Sequence, residues 1–198
     1  SLSDILLGRG RDLSEIAHPT RVPDLFVTPS DKGLAATEGI MAGRIGKEML
    51  LRSVLKGVRE GFDVVLLDCP PNLGNLTLNA LTAADACLVP CDMSVLAMSG
   101  VGDLMTVIET VRERLGCRVR VLGVLPTRVD RRNVRVTEFV MEVLREGYGP
   151  LVCNTPIPVS SALARAQVEG VTVFDYDSAS WGARAYEDLS AEVLMRLD

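Results

Sequence analysis

The stretch Phe62-Asp63-Val64-Val65-Leu66-Leu67-Asp68-Cys69-Pro70-Pro71 constrains the fold of this chain more than any other. Residues 64–67 are apolar in succession and leave no polar face. They therefore predict a strand covered on both sides, as in a parallel sheet between helices. The strand is expected to end at Asp68, and Pro70 and Pro71, which lack amide donors, hold the chain open beyond it. Open α/β sheets bind ligands at the carboxyl ends of their strands, which makes Asp68 the first candidate functional carboxylate.

The rest of the chain alternates strand and helix patterns. Residues 3–7 read as a short helix, and residues 24–29 as a strand closed by Pro29. A long helix is expected over 34–58, with Met41, Ile45, Met49 and Leu50 spaced for one buried face. Helices follow over 76–83, 101–115 (ended by Gly116), 134–145 and 182–197, and strands over 87–90 and 119–125. In the last helix Ala185, Leu189, Val193 and Leu197 recur every fourth residue for packing. This order predicts a doubly wound, mostly parallel α/β sheet flanked by helices. At 198 residues the chain is expected to form a single domain over 1–198 with a sizeable core.

An aspartate closing an apolar strand matches the Walker B element, which helps to hold Mg²⁺. The continuous run from Asp68-Cys69-Pro70-Pro71 through Ala83-Ala84-Asp85 resembles the ParA/Soj family of partition ATPases, relatives of MinD. Two further blocks resemble it in the same order. One is Gly123-Val124-Leu125-Pro126-Thr127-Arg128-Val129-Asp130; the other runs from Thr155-Pro156-Ile157-Pro158 through Tyr176-Asp177 to Gly182-Ala183-Arg184-Ala185-Tyr186. The resemblance implies a P-loop NTPase-like fold of the deviant Walker A class, with ATP and Mg²⁺ as cofactors. It places Asp68 on the metal, Pro70 in the adjoining loop, and Thr127, Arg128, Ile157 and Pro158 near the nucleotide base. It further implies ATP-dependent homodimerisation, DNA binding without sequence preference, a ParB-like stimulating partner and a nucleoid-associated place in the cytoplasm. Tyr176, Asp177, Gly182 and Tyr186 are expected to form a turn and the docking of the last helix.

A P-loop needs GxxxxGK[ST], whose glycines let backbone amides close around phosphates. The nearest stretch here is Gly43-Arg44-Ile45-Gly46-Lys47-Glu48. Met41 stands where the leading glycine belongs, Glu48 replaces the Mg²⁺-binding hydroxyl, and no strand precedes it. Residues 43–47 are therefore expected to be helical. In the family the P-loop and its strand precede the region this sequence resembles, so the first strand and P-loop are expected to be absent from these residues and hydrolysis with them. The strand over 64–67 would then carry an unpaired apolar flank.

The net charge of −5 argues against indiscriminate coating by nucleic acid. Yet all basic residues but Lys32, Lys47 and Lys56 are arginines, and Arg118, Arg120, Arg128, Arg131, Arg132 and Arg135 cluster around a lone Asp130. Arginine's planar donor set suits phosphate. The family's usual arginine after the Thr-x-Ile-Pro loop is replaced here by Val159, which leaves Arg131, Arg132 and Arg165 as the DNA-binding candidates. An alternative reading is a shortened, nucleotide-independent interaction or DNA-binding protein that keeps these surfaces. A metabolic enzyme is disfavoured, because paired carboxylates, a Ser/His/Asp set and metal-ligand spacing are missing. His18, the one histidine, reads as a surface loop residue. Cys69, Cys87, Cys91, Cys117 and Cys153 lack CxxC spacing and read as buried reduced thiols, with Cys87 and Cys91 on one strand face. No apolar run reaches a membrane span and the start lacks a signal-peptide pattern, so a cytoplasmic protein is expected.

Overall fold

The computed structural model describes residues 2–9, 13–30, 33–130 and 132–198. They form two compact units, Ser1–Asp85 with Val107–Val119, and Ala86–Thr106 with Arg120–Asp198. No helix among the described residues is long and apolar enough to cross a membrane.

The first unit begins with α1 (Leu2–Leu6) and α2 (Leu13–Ile16), followed by β1 (His18–Pro19) and β2 (Phe26–Val27), which pair antiparallel. Next come α3 (Gly33–Met41), α4 (Leu50–Leu55) and α5 (Asn75–Ala83). Its core gathers Leu6, Leu7 and Met41 with Leu2, Leu34, Leu50, Leu51 and Leu76. The strand expected over 24–29 shrinks to Phe26–Val27, and its partner is the exposed His18–Pro19 pair rather than a parallel strand.

The helix expected over 34–58 is broken. It stops at Met41, turns through residues 42–46 and resumes as a 3₁₀ turn at Lys47–Met49 before α4, so of the residues 43–47 expected to be helical only Lys47 enters a helical turn. Ile45, assigned to the buried face, is fully exposed at 104%. Two glycines within four residues weaken a helix, and Gly46 takes φ 71°, the left-handed region. Buried polar side chains of α5 serve the backbone groups that the break leaves. Asn79 accepts the Leu51 N–H (3.0 Å) and donates to the Lys47 carbonyl (2.7 Å), and the Thr82 hydroxyl donates to the Glu48 carbonyl.

The strand expected over 64–67 does not join a ladder among the described residues. Val64, Val65 and Leu66 are 56%, 43% and 89% exposed. An apolar run specifies a covered strand only where neighbours supply the cover, and here Val64, Val65 and Leu66 lie exposed while Leu67 is half-buried. Phe62 alone has an aromatic partner, packing edge-on to Phe26 with centroids 5.7 Å apart.

The second unit carries the parallel sheet. β3 (Ala86–Asp92) and β4 (Arg120–Thr127) pair in parallel, joined through α6 (Val95–Leu115), whose residues are divided between the units. The pairing Cys87–Val121 is followed by Leu88–Gly123, so Leu122 is an extra residue in β4. Then follow α7 (Val134–Tyr148), α8 (Ser161–Glu169), α9 (Val173–Asp177) and α10 (Trp181–Leu197). Beyond α7, Val152 bridges Val124 in parallel. The sheet is covered on both faces. Val89, Cys91 and Val124 pack with Val101 of α6 and Val140 and Leu144 of α7, while Leu88 and Leu125 pack with Ile157, Leu163 of α8 and Leu189 of α10. This is the doubly wound α/β arrangement, and each Val or Leu fully buried there contributes about 1.5–3 kcal/mol.

α10 docks as expected through Ala185, Leu189 and Val193, but Leu197 stays 37% exposed at the helix end. Ser180 caps α10 by accepting the Ala183 N–H (3.2 Å), and its own hydroxyl donates to the Asp177 carbonyl (2.7 Å). A Cβ on Gly182 would lie 2.8 Å from Leu163 Cγ, so a side chain there would separate α10 from α8. Cys87 and Cys91 share one face and Cys117 and Cys153 are buried, whereas Cys69 is exposed against expectation.

Candidate functional site

In the first unit Asp68 and Pro70 lie exposed on the irregular segment that leads toward α5. The Asp68 carboxylate has no ion pair among the described residues. The following loop is tied down where α5 starts. The Thr77 hydroxyl donates to the Asn72 carbonyl (2.6 Å), and Glu38 of α3 accepts the Leu76 N–H (3.4 Å). A Cβ on Gly74 would meet the Glu38 carboxylate, the mobile end of its side chain, and so would displace that acceptor from the start of α5.

In the second unit the structure brings Thr127 and Arg128 together with Ile157 and Pro158. The Ile157 N–H donates to the Pro126 carbonyl (2.9 Å), the Val129 N–H to the Ile157 carbonyl (3.0 Å) and the Val159 N–H to the Val129 carbonyl (3.0 Å). These bonds flank Arg128, a non-glycine residue at φ 54°. Such a conformation costs on the order of 1–3 kcal/mol and persists only where its surroundings over-determine it, as at ligand clamps. The exposed Arg128 guanidinium faces the Asp92 carboxylate at 3.9 Å, from the end of β3. Ile157 itself has its side chain in the core and both backbone groups bonded, so it anchors the loop, while Thr127, Arg128 and Pro158 retain accessible surface.

Under this loop lies a charged pair that pattern reading did not single out. Glu192 of α10 is buried (6% exposed) and accepts the N–H groups of Asn154 (2.8 Å) and Thr155 (2.9 Å). Arg196, one turn on, donates to Glu192 (2.8 Å) and to the carbonyls of Leu122, Pro150, Leu151 and Val152. Burial pushes the Glu192 carboxyl up, but the donors from Asn154, Thr155 and Arg196 outweigh it and hold it below the usual glutamate range. An opposite-charge i,i+4 pair at the edge of the Leu189–Val193 apolar stripe was the available signal.

Of the arginine candidates, Arg132 is exposed and locked to Asp130, its Nε and Nη2 meeting the two carboxylate oxygens at 3.0 and 2.9 Å. The side-chain and backbone hydrogen bonds from Arg132 lower the Asp130 carboxyl. Arg165 is exposed on α8, and Arg131 lies outside the described residues. Arg120 donates to the Leu197 carbonyl.

A nucleoside triphosphate with Mg²⁺ needs a base pocket, a metal carboxylate and a phosphate cradle. The loop around Arg128 in the second unit leaves Thr127, Arg128 and Pro158 accessible, and Asp68 in the first unit is an exposed carboxylate. Among the described residues the cradle has no counterpart, and residues 43–46 form a turn without the P-loop sequence. Among the described residues no cluster of three or more His, Cys, Asp or Glu side chains forms a metal site.

A profile described as an AAA domain matches residues 1–121. The chromosome partitioning protein ParA of Caulobacter vibrioides is 36% identical over 198 residues, covering 99% of this chain and 73% of that protein. The chromosome-partitioning ATPase Soj of Thermus thermophilus is 37% identical over 189 residues, covering 96% of this chain and 73% of its own length. Among solved structures, a cobyrinic acid a,c-diamide synthase from Mycobacterium smegmatis with bound ATP analogue and magnesium is 32% identical. It superposes with a TM-score of 0.84 over 100% of this chain and 73% of that one.

Proposed function

The chain belongs to the ParA/Soj family of partition ATPases, and from that premise we propose that it serves DNA partition by binding ATP, dimerising and holding DNA without sequence preference. Hydrolysis, which a ParB-like partner would stimulate, needs a phosphate loop besides these residues. The observation that carries the nucleotide reading is the strained Arg128, over-determined by backbone bonds on both sides at the carboxyl end of β4. In this reading Thr127, Arg128 and Pro158 contact the base, Ile157 anchors them, Pro70 holds its loop open and Asp68 receives Mg²⁺. The metal, when bound, neutralises phosphate charge.

Titrating millimolar ATP and Mg²⁺ into isotope-labelled protein should move the amide signals of Thr127, Arg128, Val129 and Ile157. These 198 residues contain no GxxxxGK[ST], so the same samples should release no phosphate. Signals that move only elsewhere, or a hydrolysis rate that Asp68→Ala abolishes, would each overturn the corresponding half.

A second reading, DNA binding independent of nucleotide, is supported by the position of Arg132 and Arg165, both exposed on a unit whose core closes without a phosphate loop. Asp130 competes with DNA phosphate for Arg132. Asp130→Asn should therefore raise duplex affinity several-fold and steepen its salt dependence by about one phosphate contact, while Arg132→Ala does the reverse. Fluorescence anisotropy with two unrelated duplexes across a salt series reads both effects. Affinities that differ between the duplexes, or that ignore salt and both substitutions, would remove Arg132 from the interface.

A further inference from the structure

We infer that Glu192 is a positioning residue for the base-side loop: its carboxylate stands in for the strand neighbour that Asn154 and Thr155 lack, and so sets the register that brings Pro158 beside Arg128. The inference rests on reading that loop as a base site.

In a regular parallel pair, successive donors two residues apart on one strand meet acceptors two residues apart on the other. The Cys153 N–H donates to the Val124 carbonyl (2.8 Å), so the Pro126 carbonyl should receive Thr155. It receives Ile157 instead (2.9 Å), two residues late. Residues 154 and 155 are therefore an insertion against β4, and their N–H groups have turned away from the sheet edge. Backbone donors taken out of a ladder at a part-buried site need another acceptor. Glu192 supplies one oxygen to each, Oε1 to Asn154 and Oε2 to Thr155. Pro156, lacking an N–H, makes no demand in between. Arg196 fixes the carboxylate from its other side through Oε1 (2.8 Å) while bonded to four carbonyls. The insertion, and with it the placement of the Ile157–Val129 pair that flanks Arg128, is thus held from α10.

Neutralising the group while keeping its shape separates this role from general support. Glu192→Gln presents an amide N–H₂ to one of the two backbone donors, so only one can be satisfied. Hydrogen exchange on the full chain should then quicken at least tenfold at Asn154 and Thr155, and equally at Ile157, Val129 and Val159. The amides that face across the β3–β4 pair, Val89 and Leu125, should stay slow. Glu192→Asp keeps the charge for Arg196 but withdraws the carboxylate by one methylene; the same selective pattern is expected there, and this variant decides the matter if the glutamine variant does not fold. Quickening confined to Asn154 and Thr155 would make Glu192 a local cap and overturn the inference. Uniform quickening that includes Val89 and Leu125 would make it a structural residue only, with the same result. Because the exchange is read without nucleotide, selective quickening in a protein whose wild type shows no ATP-induced shifts would uphold the positioning role while the base reading fails.

Discussion

Arg196→Met is expected to cost about 3–5 kcal/mol of stability, the range found when one partner of a buried ion pair is removed. Methionine matches most of the arginine stem, so the loss is chiefly polar. The guanidinium holds the Glu192 carboxylate and four carbonyls, and one of these belongs to Leu122, the extra residue in β4. Without arginine these carbonyls lose their donor and Glu192 keeps only the two backbone N–H groups. For a chain of this size the loss corresponds to a fall in thermal midpoint of roughly 6–20 °C.

The pH dependence should change in the same experiment. Glu192 has its carboxyl lowered in the folded protein, so its contribution is fully present above the unfolded value and is lost as the pH falls through the folded one. Arg196 is one of the groups that lower it, so in the methionine variant the acid loss should begin at higher pH. Urea denaturation at pH 7 and across the acid range below the usual glutamate value, about 4.3, reads both effects. A change under about 1 kcal/mol at neutral pH would mean that water replaces the guanidinium freely and that the pair is a surface feature.

How far the sequence could be read depended on whether the information was local. α5, α6, α7, α10, β3 and β4 follow from apolar spacing and from stops such as Gly116, which takes φ 63° just after α6. The run over 64–67 was misread because cover on both sides is a property of neighbours, and the described residues supply none. The break after Met41 depends on Asn79 and Thr82, 28 to 34 residues away from the groups they bond, which no periodicity detects. At the candidate site, the resemblance grouped Thr127–Arg128 with Ile157–Pro158, and the structure joins them through backbone bonds. The positive φ of Arg128 had no sequence signal, since left-handed residues are usually glycine or asparagine. Glu192 was passed over because a glutamate on an amphipathic helix ordinarily faces water. Its position three residues after Leu189, with Arg196 three residues after Val193, puts the pair at the margin of the packed stripe.

Gly123→Ala should cost about 2–3 kcal/mol, near the upper end for overpacking, with Cys153 as the reason. Gly123 opens the resemblance block that ends at Asp130, and a glycine there invites a reading as a ligand loop. The structure gives it a packing role instead. It lies in β4 opposite Leu88, immediately after the extra residue, and a Cβ would come within 2.7 Å of Cys153 Sγ and 3.1 Å of the Leu151 carbonyl. The sulfur is buried and cannot swing to solvent, while the backbone carbonyl needs to give only a few tenths of an ångström. Removing the sulfur should therefore make room. Cys153→Ala alone loses a buried apolar group and should be mildly destabilising, yet combined with Gly123→Ala it should restore at least half of what the alanine costs. A coupling of about 1–2 kcal/mol in the double-mutant cycle is expected, well outside the roughly 0.5 kcal/mol within which independent sites add. Strict additivity would place the conflict at the Leu151 carbonyl or Arg196 instead. The coupling would establish that this glycine brings the segment carrying Cys153 up to β4, the approach on which the hydrogen bonds to Val124 and Pro126 depend.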